Sequence, residues 1–88
     1  MKSLKDLPNI GKLIEKELND VGISSYEDLK KIGSVEALIK ISKSIFDEGC
    51  LNKLYALEGA IQNIRWHSLD ADRKLEIKKE YYSKIGKI

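Results

Sequence analysis

The chain has little of what a β-rich, disulfide-linked or membrane-embedded protein requires. Its 88 residues include one cysteine, one proline, one tryptophan and one phenylalanine, and threonine is absent. The single Cys50 excludes an internal disulfide and fits a reducing compartment. No apolar run approaches the ~20 residues that span a bilayer, and no apolar segment follows the charged amino terminus as in a secretory signal. We therefore expect a single cytoplasmic domain, residues 1–88, that makes no membrane contact.

The residues that are plentiful favour helices. Apolar residues make up 42% of the chain and charged residues 34%, which is typical of a folded helical domain. Lysine, leucine, isoleucine and glutamate dominate, whereas only two valines are present. The spacing of the apolar residues predicts five to six short helices joined by tight turns. The expected fold is all-α, a compact bundle with an N-terminal helix-hairpin-helix-like unit.

Local signals mark where several of these helices begin and end. Gly22 predicts a left-handed C-terminal cap, with Ile23 folding back over the helix that it ends. Ser24 or Ser25 is expected to cap the next helix, and Ser34 the helix after that. The helix that ends at Gly22 is expected to bury one stripe of apolar residues, namely Ile10, Leu13, Ile14, Leu18 and Val21. The apolar positions of the helix after Ser34 are Val35, Leu38, Ile39, Ile45 and Phe46.

The segment 51–64 is predicted to be the central helix, because apolar residues lie on more than one of its faces. Gly59 lies inside this helix, where a glycine costs about 1 kcal/mol relative to alanine. We expect Gly59, with Ala56 and Ala60, to let another helix approach closely. Trp66, just beyond the helix, is expected to anchor the core.

The segment Leu-Pro-Asn-Ile-Gly-Lys at 7–12 has the features of the tight turn in a helix-hairpin-helix unit. Ile10 would plug the junction between two helices, and Gly11 would let their backbones approach. The first amides of the following helix would have no helical partner, and with the helix dipole they would form an anion site. Such units usually bind a nucleic-acid phosphate. The expected nucleic-acid-binding residues are Asn9, Ile10, Gly11, Lys12 and Lys16. The alternative is that Asn9 only caps the helix and Gly11 only permits packing.

Charge limits the strength of any DNA binding. Sixteen basic and fourteen acidic residues leave a net charge of +2, whereas a DNA-coating surface usually has a clear basic excess. The tail 71–88 is more basic than the rest, and it is either part of a positive patch or the solvated face of a terminal helix. If one turn neutralises about two phosphates, the logarithmic salt slope is only about −2. Weak phosphate contact by a monomer is therefore expected.

A second hypothesis is a protein-interaction role without direct DNA contact. A chain too small for a deep core, and ending in an apolar stripe, is suited to docking a protein partner or to homodimerisation. The stripe expected to bind the partner consists of Ile77, Tyr81, Ile85 and Ile88.

Signatures of catalysis and metal binding are missing from the sequence. It has no nucleophile-elbow, phosphate-loop or zinc-protease motif. His67 and Cys50 are the only residues of their types and have no supporting ligands for a zinc site or a catalytic pair. We therefore expect no enzymatic activity, cofactor, metal or small-molecule substrate.

Several motifs together resemble the C-terminal domain of the TfoX/Sxy family. They are Leu7–Gly11, Gly22–Ile23, the segment Leu-Tyr-Ala-Leu-Glu-Gly-Ala-Ile at 54–61, and Trp66–His67, and the resemblance covers about residues 4–80. It implies a compact helical domain related to helix-hairpin-helix folds, in proteins that regulate bacterial competence for DNA uptake. Fuller family members have a separate N-terminal domain without a counterpart in these 88 residues, so the resemblance implies at most half of such a regulator.

Overall fold

Five α-helices and two 3-10 turns make up the part of the chain that the computed structural model describes, residues 4–41 and 50–86. The helices are α1 (Lys12–Asp20), α2 (Tyr26–Ile32), α3 (Ser34–Ile41), α4 (Cys50–Gln62) and α5 (Ala71–Ile85), and the 3-10 turns are Leu4–Asp6 and Trp66–Ser68. The all-α prediction is confirmed. The helix-hairpin-helix-like character of the N-terminal unit stays a prediction.

The end of α1 has the cap that the sequence predicts. Gly22 has a φ of +87°, and its amide donates to Asn19 O at 3.1 Å. The amide of Ile23 donates to Leu18 O at 2.9 Å, which completes the paired bonds of a Schellman motif. The side chain of Ile23 is fully buried over the helix end. The predicted roles of Gly22 and Ile23 are therefore confirmed.

Ser25 and Ser34 begin neighbouring helices in different ways. The Ser25 hydroxyl caps α2 by accepting a hydrogen bond from the Asp28 amide at 3.2 Å. The first helical hydrogen bond of α3 is instead accepted by the carbonyl of Gly33 at 3.0 Å. Ser34 is already helical, and its buried hydroxyl donates to Glu58 at 2.8 Å. The predicted cap at Ser34 is wrong because this hydroxyl has a stronger, charged acceptor in α4.

The central position of α4 agrees with the prediction. It packs against α2, α3, α5 and the Trp66–Ser68 turn, while α1 packs on α3 and on the Leu4–Asp6 turn. The radius of gyration, 11.9 Å, matches the ~12 Å of a compact chain of this length. The residues of the core are Leu4, Leu7, Leu18, Ile23, Leu29, Val35, Ala37, Leu38, Ile41, Leu54, Leu57, Ala60, Ile77 and Tyr81.

Leu13 lies at the surface although its spacing places it in the buried stripe of α1. Its side chain is 65% exposed, whereas Leu18 is fully buried and Ile14 and Val21 pack partly against the core. The prediction for Leu13 is wrong because α1 packs on the core through Ile14, Leu18 and Val21, and Leu13 points to solvent. Two apolar positions predicted for the helix after Ser34, Ile45 and Phe46, lie outside the described residues.

Gly59 permits a close approach, as predicted, but the approaching group is a loop rather than a helix. A Cβ atom at position 59 would lie 2.6 Å from Asn9 Nδ2 and 2.8 Å from Ile64 O. The end of α4 is a second Schellman motif, in which Asn63 has a φ of +60° and the Ile64 amide donates to Gly59 O at 2.8 Å. The space that glycine leaves therefore holds both the Asn9 loop and the chain that follows α4.

Candidate functional site

The start of α1 has backbone donors that the helix does not use. Gly11 is the N-cap residue, and no side chain caps the helix. The amide of Glu15 donates to Gly11 O at 2.9 Å, which leaves the earlier amides of the first turn without a helical acceptor. Gly11, Lys12 and Leu13 are all exposed. The helix dipole adds partial positive charge at the same end.

Asn9 has a structural role, and its side chain does not cap α1. Its Nδ2 donates to Ile64 O at 3.0 Å and to Ala56 O at 3.4 Å, and its Oδ1 accepts from the Trp66 amide at 3.2 Å. The cap prediction is wrong because Gly11 takes that position and the Asn9 side chain points to the end of α4. Its polar atoms have partners within the protein, so the loop before α1 is fastened to α4.

Ile10 and Gly11 differ in how well they match their predicted packing roles. Ile10 is partly buried and packs against the core, in keeping with a plug between helices. Gly11 has a φ of −89°, and a Cβ atom there would meet nothing within 4 Å. The prediction that Gly11 is needed for a close approach of backbones is therefore wrong. Gly11 is exposed to solvent instead.

The two lysines predicted to contact phosphate are both exposed on α1. Lys16 forms an ion pair with Asp20 one turn later, with Nζ 3.1 Å from Oδ2. Lys12 has no ion pair within the described residues. The positive charge at the start of α1 therefore comes mainly from Lys12 and the helix dipole.

A groove of about 330 Å³ lies next to the Asn9 loop. Asn9 lines it together with Ile14, Asn52, Lys53, Ala56, Arg65 and Trp66. Three of these residues were not predicted from the sequence to belong to a site, namely Asn52, Lys53 and Arg65. The helical spacing of Asn52, Lys53 and Ala56 places them on one face of α4, but Arg65 joins them only because the chain reverses after α4.

The two cations of the groove differ in their partners. Lys53 donates to Glu17 Oε2 at 3.2 Å and lies 3.1 Å from Oε1, so this partly buried pair joins α4 to α1. The side chain of Arg65 is exposed and has no hydrogen-bond or ionic partner in the described ranges. Asn52 is likewise exposed and without a partner there. The groove thus presents one free guanidinium and one free carboxamide.

Trp66 forms a wall of the groove and is not the buried core anchor that the sequence predicts. Its side chain is half-buried. The ring of His67 lies 4.1 Å from the indole, tilted by 30°, and Lys74 Nζ lies 5.4 Å from the indole centroid. These contacts hold the ring in place beside the groove.

Glu58 is a buried carboxylate, 4% exposed, that the sequence analysis did not single out. It accepts hydrogen bonds from Ser34 at 2.8 Å, from Gln62 at 2.7 Å and from Arg73 at 3.1 Å. Burial raises the pKa of Glu58, but these hydrogen bonds and the charge of Arg73 outweigh that effect and hold the pKa below its ordinary value. All of its partners are internal, so the cluster joins α3, α4 and α5.

The apolar stripe predicted to bind a partner does not form an exposed face at Ile77 and Tyr81. Both residues are 1% exposed and belong to the core. That part of the prediction is wrong because these side chains are needed to bury α5 against the rest of this small domain. The side chain of Ile85 and the whole of Ile88 lie outside the described residues.

The described ranges contain neither a cluster of metal-ligating side chains nor a membrane-spanning helix. In 4–41 and 50–86 no group of three or more His, Cys, Asp or Glu side chains is placed to hold a metal ion. Within the same residues, no helix combines the length and the apolar character needed to cross a membrane.

Comparison with known proteins places the chain in a family. It resembles the crystal structure of an uncharacterized protein from Listeria monocytogenes in a triclinic form, with 46% identity and a TM-score of 0.83, and the match covers 96% of this chain and 94% of that chain. It also resembles the crystal structure of a protein of unknown function from Listeria monocytogenes in a tetragonal form, with 48% identity and a TM-score of 0.80, and this match covers 91% of this chain and 96% of that chain. No curated protein matches the chain at a significant level. The family model of the TfoX C-terminal domain matches residues 1–81, and the chain belongs to that family.

Proposed function

We propose that this domain is a non-enzymatic regulatory module that contacts nucleic-acid phosphates at the start of α1. Membership of the TfoX C-terminal domain family indicates a regulatory module related to competence. The amides of the first turn of α1 and the side chain of Lys12 bind up to two neighbouring phosphate groups, and Lys16 adds charge nearby. The observation that carries this proposal is the exposed, uncapped first turn of α1 beside an unpaired lysine.

The same observation predicts a low affinity for nucleic acid. The charge of Lys16 is partly neutralised by its ion pair with Asp20, so Lys12 and the helix dipole supply most of the positive charge that faces the ligand. Such a surface neutralises about two phosphates, and the logarithm of the binding constant then falls with the logarithm of salt with a slope of about −2. This slope is small beside that of dedicated DNA-binding proteins, so the module works together with another DNA-binding partner or with further copies of itself.

Salt-dependent binding to a fluorescein-labelled 20-base-pair duplex tests this proposal. Lys12→Glu is expected to weaken binding and to reduce the salt slope by about 1, because one cation no longer contacts a phosphate. Fluorescence anisotropy between about 20 and 200 mM salt gives the slope. Lys79→Glu, at an exposed lysine of α5, is the control with the same change of net charge. Equal loss of binding in both variants would show a general charge effect and refute the α1 site.

Gly11→Asp separates the backbone amides from the lysine. A carboxylate at the N-cap position would accept from the free amides of α1 and compete with a phosphate for them. We expect this variant to lose duplex binding while its thermal midpoint stays the same or rises, because Asp is a better N-cap than Gly. Duplex binding that survives the substitution would exclude the amides from the mechanism.

A protein-docking role has less support, because Ile77 and Tyr81 of the predicted docking stripe are buried in the core. The exposed large apolar side chains of the described chain are Leu13 on α1 and Leu75 on α5, at 65% and 49% exposure. They lie on α1 and α5, which are not among the closely packed helix pairs of the described residues. Sedimentation velocity at high micromolar concentration tests self-association directly, and a stable dimer there would favour this second function.

A further inference from the structure

The groove next to the Asn9 loop has the mixed chemistry of a ligand site. It combines apolar side chains (Ile14 and Ala56), an indole wall (Trp66), a free carboxamide (Asn52) and a free guanidinium (Arg65). Its volume, about 330 Å³, falls at the lower end of the 300–1,000 Å³ range of ligand pockets. A space of this size suits one flat, partly apolar group and not a long segment of polymer.

The charge of the groove matches a single anion. The ammonium group of Lys53 is already neutralised by Glu17, so Arg65 supplies the one uncompensated charge among the described lining residues. A guanidinium presents a planar set of donors that bind a phosphate through two parallel hydrogen bonds. One such cation suits one phosphodiester better than the several carboxylates of an acidic peptide.

The free carboxamide of Asn52 points to a ligand that both donates and accepts hydrogen bonds. An amide side chain has one acceptor oxygen and two donor hydrogens, and it pairs in this way with the edges of nucleobases. A ligand made only of carboxylates or phosphates would leave the Asn52 oxygen unused. Apolar walls and an indole beside such an amide are the usual surroundings of an unpaired base.

The groove lies close to the start of α1, because Asn9 and Ile14 on either side of that start line it. Asn9 lines the groove and precedes Lys12 by three residues, a stretch of chain that spans at most about 11 Å. A nucleotide in the groove would therefore place a neighbouring phosphate within reach of the free α1 amides. A base of an intact duplex is stacked and paired, so it would have to leave the helix before it could enter.

We propose that this groove binds one unpaired nucleotide of a single-stranded nucleic acid, with the base between Asn52, Ala56 and Trp66 and its phosphate on Arg65. This inference rests on the proposed function, because the next phosphate of the strand occupies the start of α1. It adds a preference that the α1 site alone does not have, namely for single strands over duplexes.

Trp66 is the only tryptophan of the chain, so its fluorescence reports directly on the groove. The experiment titrates the protein at low salt with a single-stranded deoxyadenosine octamer and, separately, with its duplex with the complementary strand. We expect saturable quenching of Trp66 by the single strand, little change with the duplex, and at least about tenfold tighter binding of the single strand, since the base needs no unstacking.

Variants at exposed, unpaired residues keep the test independent of folding. Arg65→Glu and Asn52→Ala are expected to weaken single-strand binding at least about fivefold and to leave duplex binding within about twofold, whereas Lys12→Glu weakens both. Lys79→Glu is the charge-matched control, and circular dichroism verifies that each variant is folded.

Three results would overturn the inference. Equal affinity for both nucleic acids without a change in Trp66 fluorescence would refute the groove and leave the α1 phosphate site standing. Absence of binding to either nucleic acid would refute both proposals. Quenching of Trp66 by poly-glutamate at the same charge concentration as the octamer, lost in Arg65→Glu, would assign the groove to an acidic peptide instead.

Discussion

At the scale of single residues, Asn9 and Gly59 form a matched pair. Asn9 adopts a φ of +70°, a conformation that asparagine tolerates better than most residues because its short side chain can bond locally. Its side chain then occupies the space in which position 59 has no Cβ atom. The spacing of small residues in 56–60 was sufficient to predict a close approach at Gly59. The identity of the approaching group was not predictable, because the hydrogen-bond partners of Asn9 are 47 to 57 positions away.

Gly59→Ala tests this pairing. Alanine is the better helix former by about 1 kcal/mol, but its methyl group would lie 2.6 Å from Asn9 Nδ2 and 2.8 Å from Ile64 O. We expect a net loss of about 1–3 kcal/mol in the free energy of unfolding, because the overlap forces the backbone to shift. Urea unfolding followed by circular dichroism measures it.

The matched control is the same substitution in an Asn9→Ala background. The nearest clash is then removed while the Ile64 carbonyl remains, so the cost of Gly59→Ala should fall but not vanish. An unchanged cost in the double variant would show that Asn9 and Gly59 are not coupled.

At the scale of helices, two caps that depend only on neighbouring residues were predicted correctly. Two features that depend on contacts with the rest of the protein, the exposure of Leu13 and the role of Ser34, were not. The cap at Gly22 and the Ser25 start of α2 follow from local hydrogen bonds, so the sequence contains all that they need. Leu13 fits the apolar period of α1, but whether a residue on that period is buried depends on how α1 is rotated against the core. Ser34 has the composition of a cap but finds an acceptor in another helix.

Two leucines of α1 give a direct test of this difference. Leu13→Ala is expected to change the free energy of unfolding by less than about 0.5 kcal/mol, because the side chain is 65% exposed. Leu18→Ala removes a fully buried side chain and should cost about 2–5 kcal/mol, which approaches the whole stability of a small domain. Thermal and urea unfolding of both variants measure the contrast. Similar losses in the two would mean that α1 packs in a different rotation.

At the scale of the whole molecule, the Glu58 cluster connects three helices through one carboxylate. Ser34 reaches it from α3 and Arg73 from α5, while Glu58 itself lies on α4. No short sequence motif joins these residues, so the cluster could not be predicted from spacing. Removing one partner of a buried ionic cluster is costly because the remaining charge is left without compensation.

The cluster makes stability depend on pH in a defined direction. The pKa of Glu58 is lower in the folded chain than its ordinary value, so its contribution is complete above the unfolded pKa and is lost as the pH falls through the folded pKa. We expect the free energy of unfolding to fall more steeply below about pH 4.5 in the natural sequence than in Glu58→Gln. Urea titrations from pH 7 to pH 3 measure this difference. Glu80→Gln, at an exposed glutamate of α5, is the control, and a Glu58→Gln curve parallel to that of the natural sequence would contradict the assignment.

The bonds of Asn9 also have a consequence for the order of folding. Two of them join residues 55 and 57 positions apart, from the chain before α1 to the chain after α4, and such contacts form only after the entropy of closing the loop between them has been overcome. We therefore expect the loop before α1 to reach its final position late in folding. A nascent chain that has not yet emerged past Trp66 lacks the hydrogen bond that the Trp66 amide donates to Asn9.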